Sequence, residues 1–344
     1  MAGGVQVQPE RSNNGGAVFD WPQMTITAGV RFPVYCGNLI LNGNWQAIPY
    51  YVPGSEVYVI LNSTGGMVPD FSGKPWHVSG TMGAEVNGGN IRAIPAAGSD
   101  SDNLGVHVFC VYPKSSGNFG LQISDSSNLL EITNVSQGLR PIYKYEGNIT
   151  GSWGFPNLPG YDTSKMIAFV HWNNPNVAFT LNTYVENSPV FYTEGIACVQ
   201  PDRNGRTDGL QQAATGWARV VIFYPGGPVH PSTGCGIEIF NGAGQLTWSS
   251  ATTPFIIRGT VGHSFNWEGV RVDSGHSVNQ PMIPMTMPGF YWKADDYMAT
   301  YGMKSNGREF TLTRVTNAYT GRGPGPINSV SNMRLPVLDA TDYF

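Results

Sequence analysis

Two stretches about a hundred residues apart constrain this chain more than anything else in it. GVHVFCVYPKSSGNFGLQISDSSNLLEIT starts at Gly105, and ARVVIFYPGGPVHPSTGCGIEIFNGAGQLTWSS starts at Ala218. Each opens on an apolar run closed by Tyr-Pro, at Tyr112-Pro113 and Tyr224-Pro225. A polar loop follows, then Gly, an apolar residue, a polar one and Ile (Gly120 to Ile123; Gly236 to Ile239), a turn and a second strand. Upstream, EVYVILN from Glu56 matches IAFVHWN from Ile167, and IRAIPAAGSDSDN from Ile91 matches IACVQPDRNGRTD from Ile196. The pattern describes one β-domain of about 115 residues written twice. Two copies of an active site in one chain are uncommon, whereas two copies of a scaffold are ordinary.

Strand signals run along most of the chain, and no segment of 12 residues keeps a clean 3.6-residue period. MIAFVHW, VAFTLNTYV and EFTLTRV are short apolar or alternating runs punctuated by turn residues, the spacing of a sandwich or barrel. The expected fold is all-β: two tandem duplicated antiparallel β-sandwich domains with an extended, partly stranded C-terminal segment. The expected boundaries are an N-terminal arm at 1–18, a first sandwich at 19–147, a second at 148–262, and the C-terminal segment at 263–344. Three prolines and three methionines precede GFYW, and TGRGPGPINSVSNMRLPVLDATDYF is too rich in Gly and Pro to suggest a regular element. The end of the chain therefore reads as a tail that wraps a neighbour or plugs an interface, with Tyr343 and Phe344 as its contacts.

Charge narrows the function classes. Charged residues make up 12% of the chain, about half the usual share, and the formal net charge is −4. Net charge keeps proteins apart in solution, so a weakly charged surface suggests one covered by neighbours. There is no basic stripe for nucleic acid, no run of 18 apolar residues to span a membrane, and no apolar signal region near Met1. Cys36, Cys110, Cys198 and Cys235 lack metal-ligand spacing and read as small buried hydrophobes.

The sequence carries no catalytic signature. G-x-S-x-G, H-E-x-x-H and a phosphate-binding loop are absent, and the six histidines never fall two or four residues apart. The turns SDSDN at 99–103 and DRNGRTD at 202–208 carry oxygen ligands, but Arg203 and Arg206 sit inside the second and its terminal Glu is missing. Local backbone capping by Asp and Asn explains both turns. No pair of carboxylates is marked by its context for glycoside hydrolysis. The expectation is a protein that is not an enzyme and holds no cofactor or metal.

Aromatic residues in polar, turn-like surroundings are the candidate contacts: Trp153 in GSWGFP, Trp172 in VHWNNP, Trp267 in FNWEG, and Tyr291 and Trp292 in GFYWK. Such residues suit either sugar stacking or protein anchoring.

The hairpin from Gly236 to Ser250 resembles a small β-module of tail proteins from double-stranded DNA bacteriophages. Gly236, Ile237, Ile239, Asn241, Gly244, Trp248 and Ser249-Ser250 follow the module's pattern. The first copy keeps Gly120, Leu121, Ile123 and Asp125, but has Asn128 for the second Gly and Ile132 for the aromatic. The resemblance covers about 15 residues directly and about 55 with the preceding strand, and it does not reach the last 80 residues. It brings no catalytic residues. It implies a structural component of a tail tip, fibre hub or baseplate, made in the host cytoplasm and carried in the virion tail. The implied partners are other phage tail proteins and further copies of itself as a trimer or hexamer. The alternative is a receptor-binding tail protein that contacts host-surface glycan or protein through its loop aromatics.

Overall fold

A computed structural model describes residues 5–8, 33–62, 65–68, 77–95, 104–113, 119–124, 129–133, 138–181, 195–201, 213–226, 236–240, 246–249, 253–262, 271–273, 278–286, 288–293, 297–319, 327–330 and 334–344. Among these residues, regular structure is β apart from two single-turn 3-10 helices, at Thr163–Lys165 and Ala340–Asp342. The first part of the chain contributes β1 (Val5–Gln8), β2 (Val34–Leu41), β3 (Gln46–Ala47), β4 (Glu56–Leu61), β5 (Gly65–Val68), β6 (His77–Asn87), β7 (Asn90–Pro95), β8 (Leu104–Val111), β9 (Phe119–Ser124) and β10 (Leu129–Thr133). The middle contributes β11 (Leu139–Gly154), β12 (Ile167–His171), β13 (Ala178–Leu181), β14 (Gly195–Val199), β15 (Thr215–Pro225), β16 (Gly236–Phe240) and β17 (Leu246–Ser249). The C-terminal part contributes β18 (Gly259–Gly262), β19 (Arg271–Asp273), β20 (Pro281–Pro284), β21 (Gly289–Lys293), β22 (Tyr297–Ser305), β23 (Glu309–Tyr319), β24 (Ile327–Val330) and β25 (Arg334–Asp339).

The all-β class expected from the sequence is what the structure has, with antiparallel pairing throughout the described ladders. Several pairings recur between the two similar stretches. The strand order β2-β8-β4 is matched by β11-β15-β12. Glu56 lies opposite Val111 in the first, and Ile167 lies opposite Phe223 in the second. These are the same positions when EVYVILN is laid on IAFVHWN and the two Tyr-Pro ends are aligned. The hairpins β6–β7 and β13–β14 correspond likewise, with Val86 opposite Ile91 and Leu181 opposite Ile196. Hairpins β9–β10 and β16–β17 complete the series.

The two sets do not close as separate bodies. β11 runs unbroken through the boundary expected at 147/148. β12 continues outward through β20 and β25 to β18, so the C-terminal segment builds onto the second set of strands. One buried cluster joins residues from Cys36 to Val337. The prolines of β20 lack amide donors, and its ladders are correspondingly short: Phe169 and Val170 face Pro284 and Ile283, while Asp339 and Leu338 face Pro281 and Met282.

Alternation along the central strands explains why their sequences read as continuous apolar runs. On β8, Val106, Val108 and Cys110 enter one cluster while Phe109 enters another. On β15, Ala218, Val220 and Ile222 enter the first, and Val221 and Phe223 the second. Both faces of these strands are covered, so both parities are apolar. The second cluster gathers Tyr58, Ile60 and Phe109 from the first set with Ile167, Phe169 and Phe223 from the second. Phe255 is its hub, with ring centroids 5.5 Å from Phe109, 5.3 Å from Phe169 and 5.0 Å from Phe223.

The chain end differs from the expected outward-reaching tail. Residues 334–344 fold back as β25, seated between β18 and β20, followed by a 3-10 turn capped by Asp339. Leu335, Val337 and Leu338 are fully buried there. The apolar residues of RLPVLDATDYF thus complete their own chain's core, an alternative the Gly- and Pro-rich sequence before them obscured.

Candidate functional site

Past the aromatic hub, the same strand faces turn polar. On β12, Ile167 and Phe169 are followed at the same parity by His171, and Asn173 comes next after the strand ends. On β15, Phe223 and Val221 are preceded by Arg219 and Trp217. His171 and Arg219 are direct cross-strand partners. A cleft of about 500 Å³ opens here, lined by His171, Asn173, Asn279, Gln280 and the 306–309 turn.

Each wall is fixed by local chemistry. Asn306 accepts from the backbone amides of Arg308 (3.1 Å) and Glu309 (2.8 Å), and its Nδ2 donates to Glu309 Oε2 at 3.1 Å. This shapes the tight turn joining β22 to β23. Gly307 has φ +94°, and a Cβ there would meet the Asn173 Cβ at 2.9 Å, so glycine is needed both for the turn and for the approach to the opposite wall. On the other side, Asp339 accepts from the amides of Asn279 (2.8 Å) and Gln280 (3.2 Å) while also capping Thr341 (3.0 Å). That one carboxylate ties the cleft wall to the C-terminal turn.

His171 Nδ1 donates to the Pro281 carbonyl at 3.0 Å. A carbonyl can only accept, so in the neutral ring Nε2 is left as an acceptor. Burial holds this imidazole below its ordinary pKa, opposed by the bond to Pro281. Arg219 donates to Gln280 Oε1 and to Glu146 Oε1, the latter at 3.1 Å. Its guanidinium lies 5.5 Å from the Trp217 ring centroid and 5.3 Å from that of Phe344. Trp217 and Phe344 stay 41% and 39% exposed. Among the described residues, Asn173, Asn279 and Arg308 have no side-chain hydrogen-bond partner, and Glu309 is the sole carboxylate lining the cleft. The lining carries one charge of each sign, Arg308 and Glu309; at the margin Arg219 pairs with Glu146, and the Asp339 carboxylate lies behind the wall.

The aromatic contacts expected from the sequence scatter. Trp172 is corrected outright: it is fully buried between Phe179 (5.0 Å) and Phe310 (5.5 Å), on the opposite face from His171 and Asn173. Trp153 is half-buried at the end of β11, 5.3 Å from Tyr145. Tyr291 and Trp292 lie in a strand rather than a loop, opposite Ala299 and Met298 of β22 and Asn328 and Ile327 of β24. Trp267 and both acidic turns lie outside the described residues. Tyr343, expected at an interface with a neighbour, is buried in its own chain, and Phe344 beside it remains on the surface. Sequence reasoning missed His171, Asn173, Arg219 and Trp217. Their signal was parity: they continue the apolar face of a strand at the point where it becomes polar. No cluster of His, Cys, Asp or Glu suited to a metal occurs among the described residues, and no helix there is long and apolar enough to cross a membrane.

A family model matches residues 14–322. The chain belongs to DUF6453, a family of unknown function. The DUF6453 match spans β2 through β23, so it takes in both sets of strands and the whole lining of the cleft, and stops before β24 and β25. No curated protein and no solved structure matches the chain.

Proposed function

We propose that this member of DUF6453 is a structural component of a bacteriophage tail, assembling through β-domain faces and a terminal arm. The observation that carries the reading is the pairing of β1 with β16. Val5, Gln6, Val7 and Gln8 lie opposite Ile239, Glu238, Ile237 and Gly236, on the hairpin that resembles the phage tail module. An arm separated by 25 residues from the next described strand joins that hairpin through backbone bonds. Strand addition of this kind needs no special side-chain chemistry and works equally between copies. The low charge and the recurring strand set support the same reading. Its oligomer is a trimer or hexamer, and its site is the virion tail.

The test is deletion of residues 1–8. The shortened chain is expected to keep its thermal transition but to lose self-association in sedimentation and its place in assembled particles. Unchanged association would count against arm-mediated assembly.

A second reading, a receptor-binding tail protein, is favoured by the cleft beside Trp217. Particles carrying Trp217→Ala are then expected to assemble normally and adsorb poorly to host cells.

A further inference from the structure

We infer that the His171–Glu309 cleft binds a neutral, polyhydroxylated ligand, a saccharide; this rests on the receptor-binding reading and names its ligand class. Three properties point to that chemistry. The first is the lining, which carries four carboxamides, Asn173, Asn279, Gln280 and Asn306; Asn306 and the Gln280 Oε1 are engaged in the walls, which leaves Asn173 and Asn279 to meet a ligand. A carboxamide offers both donors and an acceptor from one planar group, which matches vicinal hydroxyls that do the same. His171 adds an acceptor through Nε2, since its Nδ1 is committed to Pro281.

The second is electrostatic balance. The lining carries one charge of each sign, Arg308 and Glu309; at the margin Arg219 pairs with Glu146, burial holds His171 below its ordinary pKa, and the Asp339 carboxylate behind the wall is taken up by backbone amides. A phosphorylated or carboxylated ligand calls for surplus positive charge, and a cationic one for surplus carboxylate. The lining has neither.

The third is the aromatic margin. Sugar rings present apolar C–H faces as well as hydroxyls, and exposed aromatic rings stack on them. Arg219 connects the two parts of the site, since it donates to Gln280 at the cleft wall and lies over Trp217 and Phe344 outside it. Trp217 is thereby held beside the polar wall with much of its ring in solvent. The volume of about 500 Å³ suits two or three pyranose units.

A lone carboxylate, Glu309, lines the cleft among the described residues, and Asn306 already holds it. Glycosidic cleavage by the usual route takes two opposed carboxyl groups. The site is thus assigned to binding rather than turnover.

The test uses the full chain, with tryptophan fluorescence and calorimetry during titration by maltohexaose, cellohexaose and mannohexaose. At least one is expected to bind, with Asn279→Ala and Trp217→Ala each weakening it about tenfold or more and Trp45→Ala, an exposed tryptophan of the first strand set, leaving it unchanged. Thermal unfolding of each variant shows that it is folded. No binding of any of the three to the folded chain overturns the inference, as does binding that Trp217→Ala and Asn279→Ala leave intact. If no oligosaccharide binds and Trp217→Ala particles still lose adsorption, the saccharide assignment falls and the receptor reading stands with a protein ligand. If oligosaccharide binds and adsorption is unaffected, the assignment stands and the receptor reading falls.

Discussion

Tyr343 sets its ring edge-on to Phe223, 5.4 Å between centroids, at the foot of the aromatic hub. Its hydroxyl donates to the Pro254 carbonyl at 3.1 Å and accepts from the Ile256 amide at 3.2 Å. Tyr343 thus anchors the segment that carries Phe255. Tyr343→Phe keeps the ring and strands two buried backbone groups, at an expected cost of about 2 kcal/mol. Tyr343→Ala also opens a cavity and is expected to cost about 4 kcal/mol. Urea denaturation of the three proteins measures both, and equal stability would show that the C-terminal turn is not part of the core.

The aromatic hub itself is open to the same test. Phe255→Ala removes the ring shared by Phe109, Phe169 and Phe223, and is expected to cost about 3–5 kcal/mol. Phe255→Leu is expected to recover more than half of that loss.

Acid should weaken the fold through His107. This imidazole is buried against Tyr35, whose hydroxyl lies 3.1 Å from Nδ1, and burial pushes it down to about 3 from 6.5. The unfolded ring takes up a proton below about pH 6.5, and the folded ring does not until about pH 3. Stability from this group is therefore complete above pH 6.5 and falls as the pH drops from there towards 3, by up to about 1.4 kcal/mol per pH unit. His107→Gln keeps a partner for Tyr35 without titrating. Its stability curve is expected to be flatter than the wild type's over that window, with parallel curves arguing against His107 as a source.

The cleft walls depend on two residues that need not touch a ligand. Gly307→Ala places a Cβ against Asn173 and strains a positive φ, with an expected cost of about 1–2 kcal/mol and a widened cleft. Asp339→Ala frees the amides of Asn279, Gln280 and Thr341 and is expected to cost about 3 kcal/mol. Thermal melts check the stability of both. Amide exchange at residues 279–280 checks the second, with faster exchange expected in Asp339→Ala.

Much of the architecture was legible because it is written in short-range alternation. EVYVIL and IAFVH are strands with equivalent registers, and so are the runs ending at Tyr112 and Tyr224. Parity was where reading by context failed. Trp172 sits among polar neighbours in VHWNNP, yet a strand sends successive side chains to opposite faces, so the tryptophan enters the core and His171 and Asn173 reach the cleft. The C-terminal segment was misread for a different reason. Prolines at 281, 284 and 336 weaken any strand propensity, and β20 and β25 exist because long-range partners over two to four residues accept such short ladders. The cleft draws on residues from 171 to 309, and no local motif joins positions so far apart.

Immunogold imaging of particles released from cells that carry this gene, using antibody raised against the purified chain, tests the central claim most directly. Gold is expected at the tail, at its tip, hub or baseplate, and none there on particles made without the chain. Gold confined to heads, or chain found only as free protein beside unlabelled particles, would contradict it.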